Sequence, residues 1–230
     1  MKVFAHRGAS GNYPENTLAA IKAAITCHAD GIELDIQECK DDFVVLHDTW
    51  LERTTSGVGQ VAQFSVSQLK QLNAGSGERI PTLQEVFDYV PTHTQLNLEL
   101  KSVINLDKLI ALLDKNLNDK RITQKQLLIS SFNHPLLKQI KQHFPWLNIG
   151  ALTASLPLDY ARFASELSAF SVHVDREFVD QAFVDDAKSK GLKVYAYTVD
   201  KQQDIERLQQ MGIDGIFSNY PCKAKMFLTT

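Results

Sequence analysis

Two short stretches set ionisable residues at alternate positions of otherwise apolar runs. One is Gly31-Ile32-Glu33-Leu34-Asp35-Ile36 and the other is Leu96-Asn97-Leu98-Glu99-Leu100-Lys101. In a β-strand, residues two apart share a face. Glu33 and Asp35 therefore point away from Ile32, Leu34 and Ile36, and Glu99 and Lys101 point away from Leu96, Leu98 and Leu100. On neighbouring strands of a closed barrel, three carboxylates and an ammonium would meet inside. Buried charges need partners, and an all-oxygen cluster of this kind suits a hard cation such as Mg2+ or Ca2+. A solvated sheet face is the commoner cause of such alternation, and the rest of the chain must decide between the two. Beside these stretches stand His6-Arg7-Gly8 and His47-Asp48. Arg7 can grip a phosphate through two parallel hydrogen bonds, and Lys101 adds a point charge. His6 and His47 can divide acid and base work between a nucleophile and a leaving oxygen. Together these are the constituents of metal-assisted phosphoester chemistry.

The elements that would carry them follow from the apolar periodicity. Val3 to Ala5 reads as a strand. Asn16 to His28 reads as a helix, with Asn16 a suitable N-cap. Gly31 to Gln37 is a strand, followed through a Lys40-Asp41-Asp42 turn by a short extended run over Phe43 to Leu46. Residues 49 to 80 are loop-rich, with a short helix expected at Val66 to Leu72. Thr82 and Glu85 form a capping-box pattern ahead of a helix over Leu83 to Tyr89. Strands at 95–100, 127–130, 148–152, 169–174, 193–198 and 215–218 then alternate with helices at 106–117, 135–143, 158–167, 178–190, 202–211 and after Pro221. With the Phe43 run set aside as an inserted ribbon, eight strands are each followed by a helix. That rhythm predicts an α/β fold, a (β/α)8 TIM barrel with a small insertion after strand 2, against a doubly wound open sheet as the alternative. Two features favour the barrel. Several strands are polar on one face, and the polar residues gather at C-terminal strand ends, where barrel enzymes keep their sites. The expected organisation is one catalytic domain over 1–230, with an insertion at about 38–80 capping the barrel mouth.

The chain has 230 residues and a formal net charge of −3, which gives no general attraction to nucleic acid or to an anionic membrane. An anionic substrate must be drawn by a few placed cations. Cys27, Cys39 and Cys222 are odd in number and form no C-x-x-C pair, which argues against a disulfide framework and a structural zinc site. The first residues hold no long apolar segment and no run approaches a bilayer span. A cytoplasmic protein without stable membrane association is the expectation, acting on a small molecule as a monomer or homodimer.

The ordered set of motifs resembles the glycerophosphodiester phosphodiesterase family. Those motifs are His6-Arg7-Gly8, Pro14-Glu15-Asn16-Thr17, Glu33-Leu34-Asp35, Val45-Leu46-His47-Asp48, Glu99-Leu100-Lys101, Ile129-Ser130-Ser131-Phe132, Tyr197-Thr198-Val199-Asp200 and Gly212-Ile213-Asp214-Gly215-Ile216-Phe217-Ser218-Asn219-Tyr220-Pro221. The resemblance covers nearly the whole chain, from residue 3 to about 222. The resemblance implies cleavage of glycerophosphodiesters to glycerol 3-phosphate and an alcohol with one divalent cation, Mg2+ or Ca2+. It implies Glu33, Asp35 and Glu99 as metal ligands, His6 and His47 as acid and base, and Arg7 and Lys101 as phosphate contacts. Tyr197 stands where the family often has Trp, and still offers a flat face to the substrate. Asp200 replaces a usual Asn and reads as an N-cap. Asp48 reads as structural, and Glu15-Asn16-Thr17 reads as a helix start. His173, near the end of its strand, reads at least as well as a structural histidine as it does as a site residue. Two competing readings keep the barrel. A lysophospholipase D would need an apolar groove, and residues 49 to 80 hold few large apolar residues. A non-catalytic binding barrel would lack a histidine or carboxylate of the set, and all are present. An amidohydrolase barrel is disfavoured because the first strand ends in His-Arg-Gly instead of His-x-His.

Overall fold

Eight parallel strands close on themselves, and a ninth lies antiparallel at the edge of one of them. The computed structural model describes residues 1–229. The chain runs β1 (Lys2–His6), α1 (Leu18–Thr26), β2 (Gly31–Glu38), β3 (Phe43–Val45), α2 (Val66–Leu69), α3 (Leu83–Tyr89), β4 (Gln95–Ser102), α4 (Leu106–Asn118), β5 (Leu127–Ser131), α5 (His134–His143), β6 (Asn148–Thr153), α6 (Arg162–Glu166), β7 (Ser171–Asp175), α7 (Gln181–Ser189), β8 (Lys193–Tyr197), α8 (Gln202–Gln210), β9 (Gly215–Ser218) and α9 (Pro221–Thr229). β1 pairs with both β2 and β9, which closes the barrel. β3 pairs antiparallel with β2, Val45 opposite Ile36. The expected (β/α)8 barrel and its inserted ribbon are therefore both present.

The alternation in β2 and β4 explains why their charges face inward. Ile32, Leu34, Ile36, Leu96, Leu98 and Leu100 join the buried layer between barrel and helices. That layer also holds Leu109 and Leu113 of α4, whose N-terminus is capped by Asn105. The opposite faces of both strands can only turn into the barrel, and the register sets Asp35 beside Glu99. The lower barrel is sealed by Phe4, Leu128, Tyr195 and Phe217. His173 packs against Tyr195 and Phe217 and lies 2.9 Å from the Ser171 hydroxyl. Burial pushes its pKa down to about 3, so the ring is a neutral wedge. Gly150 makes room for it, since a Cβ there would stand 2.5 Å from the imidazole. His173 is thus packed and hydrogen-bonded at the floor of the barrel, and its ring also borders the cavity above it.

Between β3 and α3 the chain forms a second small core of Val44, Leu46, Leu51, Val61, Leu69 and Ile80, backed by Phe64 and Leu72. The capping box of Thr82 and Glu85 is formed as expected. Two expected caps are not. Thr17, not Asn16, caps α1, and Lys201, not Asp200, occupies the N-cap of α8. Asn16 and Asp200 use their side chains elsewhere. The helix expected over 158–167 shortens to α6, because residues 154–161 loop outward first. No helix among the described residues is long and apolar enough to cross a membrane.

One expectation is overturned. Cys27 and Cys222 form a disulfide with Cα atoms 5.0 Å apart, while Cys39 is free and buried. Spacing in sequence is blind to this pairing, because barrel closure is what brings the start of α9 to the end of α1. The bond closes a loop of 195 residues, and a constraint on so long a segment stabilises chiefly by restricting the unfolded chain. Reduction, or Cys27→Ser, is expected to lower the unfolding free energy by about 2–4 kcal/mol. Denaturant melts with and without reductant check this, and the variant should lose its response to reductant.

Candidate active site

His6 ends β1, and its Nδ1 lies 2.8 Å from Asn219 Oδ1. Asn219 Nδ2 donates to Asp200 Oδ2 at 2.7 Å. Only an NH2 group can face that carboxylate, so the amide oxygen must face His6. An amide oxygen only accepts, which puts the imidazole proton on Nδ1 and leaves the Nε2 lone pair free. Asp200 is itself fixed by the Asn219 amide N–H at 2.8 Å and the Ser218 hydroxyl at 2.9 Å. Burial, and then the nearby Arg7 charge, push the His6 pKa down to about 4.

Arg7 and Gly8 then turn the chain sharply, with φ of 55° and 77°. Such a left-handed bend at a bulky residue is strained and persists only where other contacts enforce it. Here the bend aims the Arg7 amide at Glu33 Oε2, 2.9 Å away. It also brings the Arg7 Nε to 3.1 Å from Asp35 Oδ2, with Nη1 donating to Glu15 Oε1 at 3.0 Å. At Gly8 a Cβ would lie 2.6 Å from the Ala20 carbonyl carbon, so only glycine permits the approach to α1. Burial disfavours the Arg7 charge, but Asp35, Glu33 and Glu15 outweigh it and raise its pKa.

Glu33, Asp35 and Glu99 are all buried and each offers an oxygen within 4.8 Å of the others. Asp35 is oriented by Asn16, which donates through Nδ2 to Oδ2 at 2.9 Å and accepts the Asp35 amide at 3.2 Å. Lys101 Nζ donates to Glu99 Oε1 at 2.7 Å and stands 3.9 Å from Asp35. Burial, then repulsion from Asp35 and Glu99, hold the Glu33 pKa well above the usual carboxylate range. Burial and Asp35 raise that of Glu99 against the pull of Lys101. Glu33 Oε1 is buried with no hydrogen-bond partner. Three mutually repelling carboxylates with an oxygen left unpartnered fit a hard divalent cation.

His47 comes from the segment after β3, and Gln37 Nε2 holds its carbonyl at 2.9 Å. Its Nε2 lies 3.2 Å from Lys101 Nζ and its Nδ1 lies 2.5 Å from Asp48 Oδ1. An ammonium has no lone pair, so Nε2 accepts and Nδ1 carries the proton. Asp48 is gripped in turn by Arg53, whose Nε bonds Oδ2 and whose Nη2 lies 3.0 Å from Oδ1. Arg53, working against burial, and then His47 hold the Asp48 pKa down to about 2. Arg53 also donates to both oxygens of Glu15, which ties the inserted segment to the turn after β1.

The expected site residues are brought together. His6, Arg7, Glu33, His47, Glu99, Lys101 and Tyr197 line one cavity of about 410 Å³ at the C-terminal ends of the strands. Asp35 sits directly behind its wall. Tyr197 donates to the Thr153 carbonyl at 2.9 Å, and Phe132 stands edge-on to it. Sequence reasoning missed the residues that orient these groups. Asn16, Asp200 and Asp48 were visible but read as caps or turn residues, and Asn219 lies in a quoted motif without a role. Arg53 carries no local signal at all, because its partners Glu15 and Asp48 meet only in the fold.

Comparison with known proteins agrees with this geometry. Residues 6–223 match the model of the glycerophosphoryl diester phosphodiesterase family. A glycerophosphodiester phosphodiesterase of Caldanaerobacter subterraneus is 40% identical over 95% of this chain and 94% of its own length. One of Bacillus subtilis is 35% identical over 94% of this chain and 83% of its own. The solved structure of an Oleispira antarctica phosphodiesterase in complex with sn-glycerol 3-phosphate superposes with a TM-score of 0.92, at 34% identity over 100% of this chain and 97% of that one. The chain belongs to the glycerophosphoryl diester phosphodiesterase family.

Proposed function

We propose that the cavity hydrolyses glycerophosphodiesters to glycerol 3-phosphate and an alcohol. The observation that carries this reading is the facing of two chemistries across one cavity. A buried carboxylate trio with Glu33 Oε1 unpartnered stands opposite two imidazoles, each with its proton fixed on Nδ1 and Nε2 turned inward. The product held by the Oleispira antarctica relative supports the same reaction. Glu33, Asp35 and Glu99 would hold one cation, Mg2+ or Ca2+, which when bound supplies a Lewis acid against the phosphate charge. Arg7 and Lys101 add positive charge where a phosphate would sit and oppose the charge gained in the transition state. His6 and His47 take the proton from the nucleophile and return one to the leaving oxygen, both through Nε2. Asp48 and Asn219 act through the imidazoles they orient, one through a carboxylate and the other through a carboxamide. Tyr197 gives the substrate carbons a flat wall. The segment between β3 and α3, clamped by Arg53 to Glu15, closes over one side of the mouth.

The carboxylates and histidines are tested together. His6→Ala and Glu33→Ala should each abolish release of glycerol 3-phosphate while leaving the fold intact by circular dichroism. A calorimetric melt gives an independent reading of the cation. Mg2+ or Ca2+ should raise the Tm of the wild type and leave that of Glu33→Gln unmoved. In chelator, Glu33→Gln should melt at or above the wild type, because a repelling buried charge is gone. Wild-type turnover in either alanine variant would sink the site assignment.

The Asp200–Asn219 pair makes a separate forecast. Asp200→Asn frees the Asn219 amide to flip and should lower kcat about 10–100-fold with little change in KM, the usual scale for residues that orient a reacting group. Combining it with Asn219→Asp lets the carboxylate and carboxamide change places and restores an acceptor toward His6 Nδ1. Recovery of kcat in the double variant distinguishes orientation from a structural defect. Failure to recover removes the positioning role.

A further inference from the structure

The loops that follow β4, β5, β6 and β7 carry large apolar side chains into solvent around the mouth of the cavity. Leu158 is fully exposed, Ile104 is 75% exposed and Phe132 is 47% exposed, with Leu156 and Phe178 also exposed. These four strands are consecutive neighbours in the barrel, so the five side chains form an arc along one side of the mouth. Residues 102–106 (Ser-Val-Ile-Asn-Leu), 132–133 (Phe-Asn) and 154–158 (Ala-Ser-Leu-Pro-Leu) contain no charged residue. The other side of the mouth is different. There Glu15, Asp48 and Arg53 form a partly exposed network of charges. Of the apolar residues of the inserted segment, Leu51 and Leu69 lie in its own core beside Phe64 and Leu72, while Trp50 and Val58 are exposed. The larger group of exposed apolar side chains lies across the mouth from residues 49 to 80.

Exposed apolar side chains grouped about a cavity, with no packing role of their own, mark an interaction surface. Two observations say what covers this one. First, the arc is continuous with the cavity, because Phe132 belongs to both, lining the cavity and standing edge-on to Tyr197. Whatever covers the arc thus reaches the phosphate site, as an amphiphile does when its polar end enters and its apolar part stays outside. Second, the one cationic side chain of these loops, Arg176 beside Phe178, is paired with Glu177 at 3.0 Å, and the whole chain carries −3, so an anionic surface would gain little from it. We propose that Ile104, Phe132, Leu156, Leu158 and Phe178 dock on a zwitterionic lipid surface, from which the cavity takes monoacyl glycerophosphodiesters. This rests on the phosphodiesterase reading above and extends it from water-soluble diesters to single-chain lipids. Shallow insertion of a few aliphatic and aromatic side chains is the usual mode of such interfacial binding.

Phosphatidylcholine vesicles doped with lysophosphatidylcholine are the probe, and soluble glycerophosphocholine is the reference substrate. The variant is Ile104→Glu with Leu158→Glu, two exposed positions outside the catalytic cavity. The wild type should co-sediment with the vesicles and release choline from the lipid. In the variant, vesicle binding and choline release from the lipid should both fall by about tenfold or more, while glycerophosphocholine turnover stays unchanged. That unchanged turnover shows the variant is folded. A wild type that ignores the vesicles, or a variant that binds them equally, overturns the proposal. So does a concentration-dependent dimer that the substitutions dissociate, which would give the arc to a second copy of the chain. An inactive wild type on glycerophosphocholine would overturn the reaction instead, and vesicle binding would still report on the arc.

Discussion

Three carboxylates crowded on the inner wall of a closed barrel are the constraint from which the rest of the site follows. Two unit charges 4.8 Å apart repel by about 3 kcal/mol at an effective dielectric near 20, so three ionised groups within that distance oppose folding by roughly 10 kcal/mol. That is comparable with the whole stability of an ordinary domain. The barrel answers with cations placed from two directions. Arg7 reaches Asp35 from the strained turn after β1, and Lys101 reaches Glu99 and Asp35 from β4. Asn16, also at positive φ, spends its whole amide on Asp35. The left-handed residues of the first loop are the cost of bringing donors to carboxylates that the strands alone leave crowded.

A second consequence concerns protons. Each histidine has its Nδ1 committed, one to a carboxamide and the other to a carboxylate. The pairing is asymmetric in charge. His6 is largely buried beside Arg7 and is held neutral, with its pKa near 4. His47 rests on Asp48, which Arg53 keeps ionised. The orienting group of His6 comes from far along the chain, whereas that of His47 is its neighbour on the inserted segment. Asn219 follows β9 and reaches β1 because those strands are neighbours. Asp48 rides on the inserted segment, whose link to the barrel turn is the Arg53–Glu15 pair. Barrel closure and segment docking are thus both needed before the two imidazoles have defined faces.

The sequence made the barrel and the inward clustering of its ionisable groups legible for one reason: both are written as local periodicity. Alternation in β2 and β4 declares an inward polar face, and the βα rhythm declares closure. What stayed hidden depends on which distant segments touch. Asp200 and Asn16 have the residue types of N-caps, and local chemistry alone assigns them to caps. Only the fold shows Lys201 and Thr17 at those positions and the carboxylate and amide turned to the site. The Cys27–Cys222 bond is of the same kind, 195 residues long in sequence and 5.0 Å across in space. Helix α6 begins later than the expected 158 because Leu158, which fits the helical apolar pattern, is fully exposed and serves no helical face.

That last mismatch bears on what the barrel admits. Phe4, Leu128, Tyr195 and Phe217 seal the lower end, and His173 is wedged above them as a neutral ring, so ligands enter only through the mouth. The character of the mouth therefore acts before any catalytic group does. One side presents Glu15, Asp48 and Arg53, charges that are paired with one another, on a segment that exposes Trp50 and Val58. The other side presents aliphatic and aromatic side chains on loops that have no structural need of them. Loops of a barrel vary without disturbing the strands beneath. The same reacting groups can in this way be presented to water on one side and to an apolar phase on the other. Phe132 is the residue at the seam, with Lys101 Nζ 5.8 Å from its ring centre and nearly half its surface free. It meets the Lys101 charge on one side and the apolar arc on the other, which makes the polarity change across the mouth as abrupt as a single side chain.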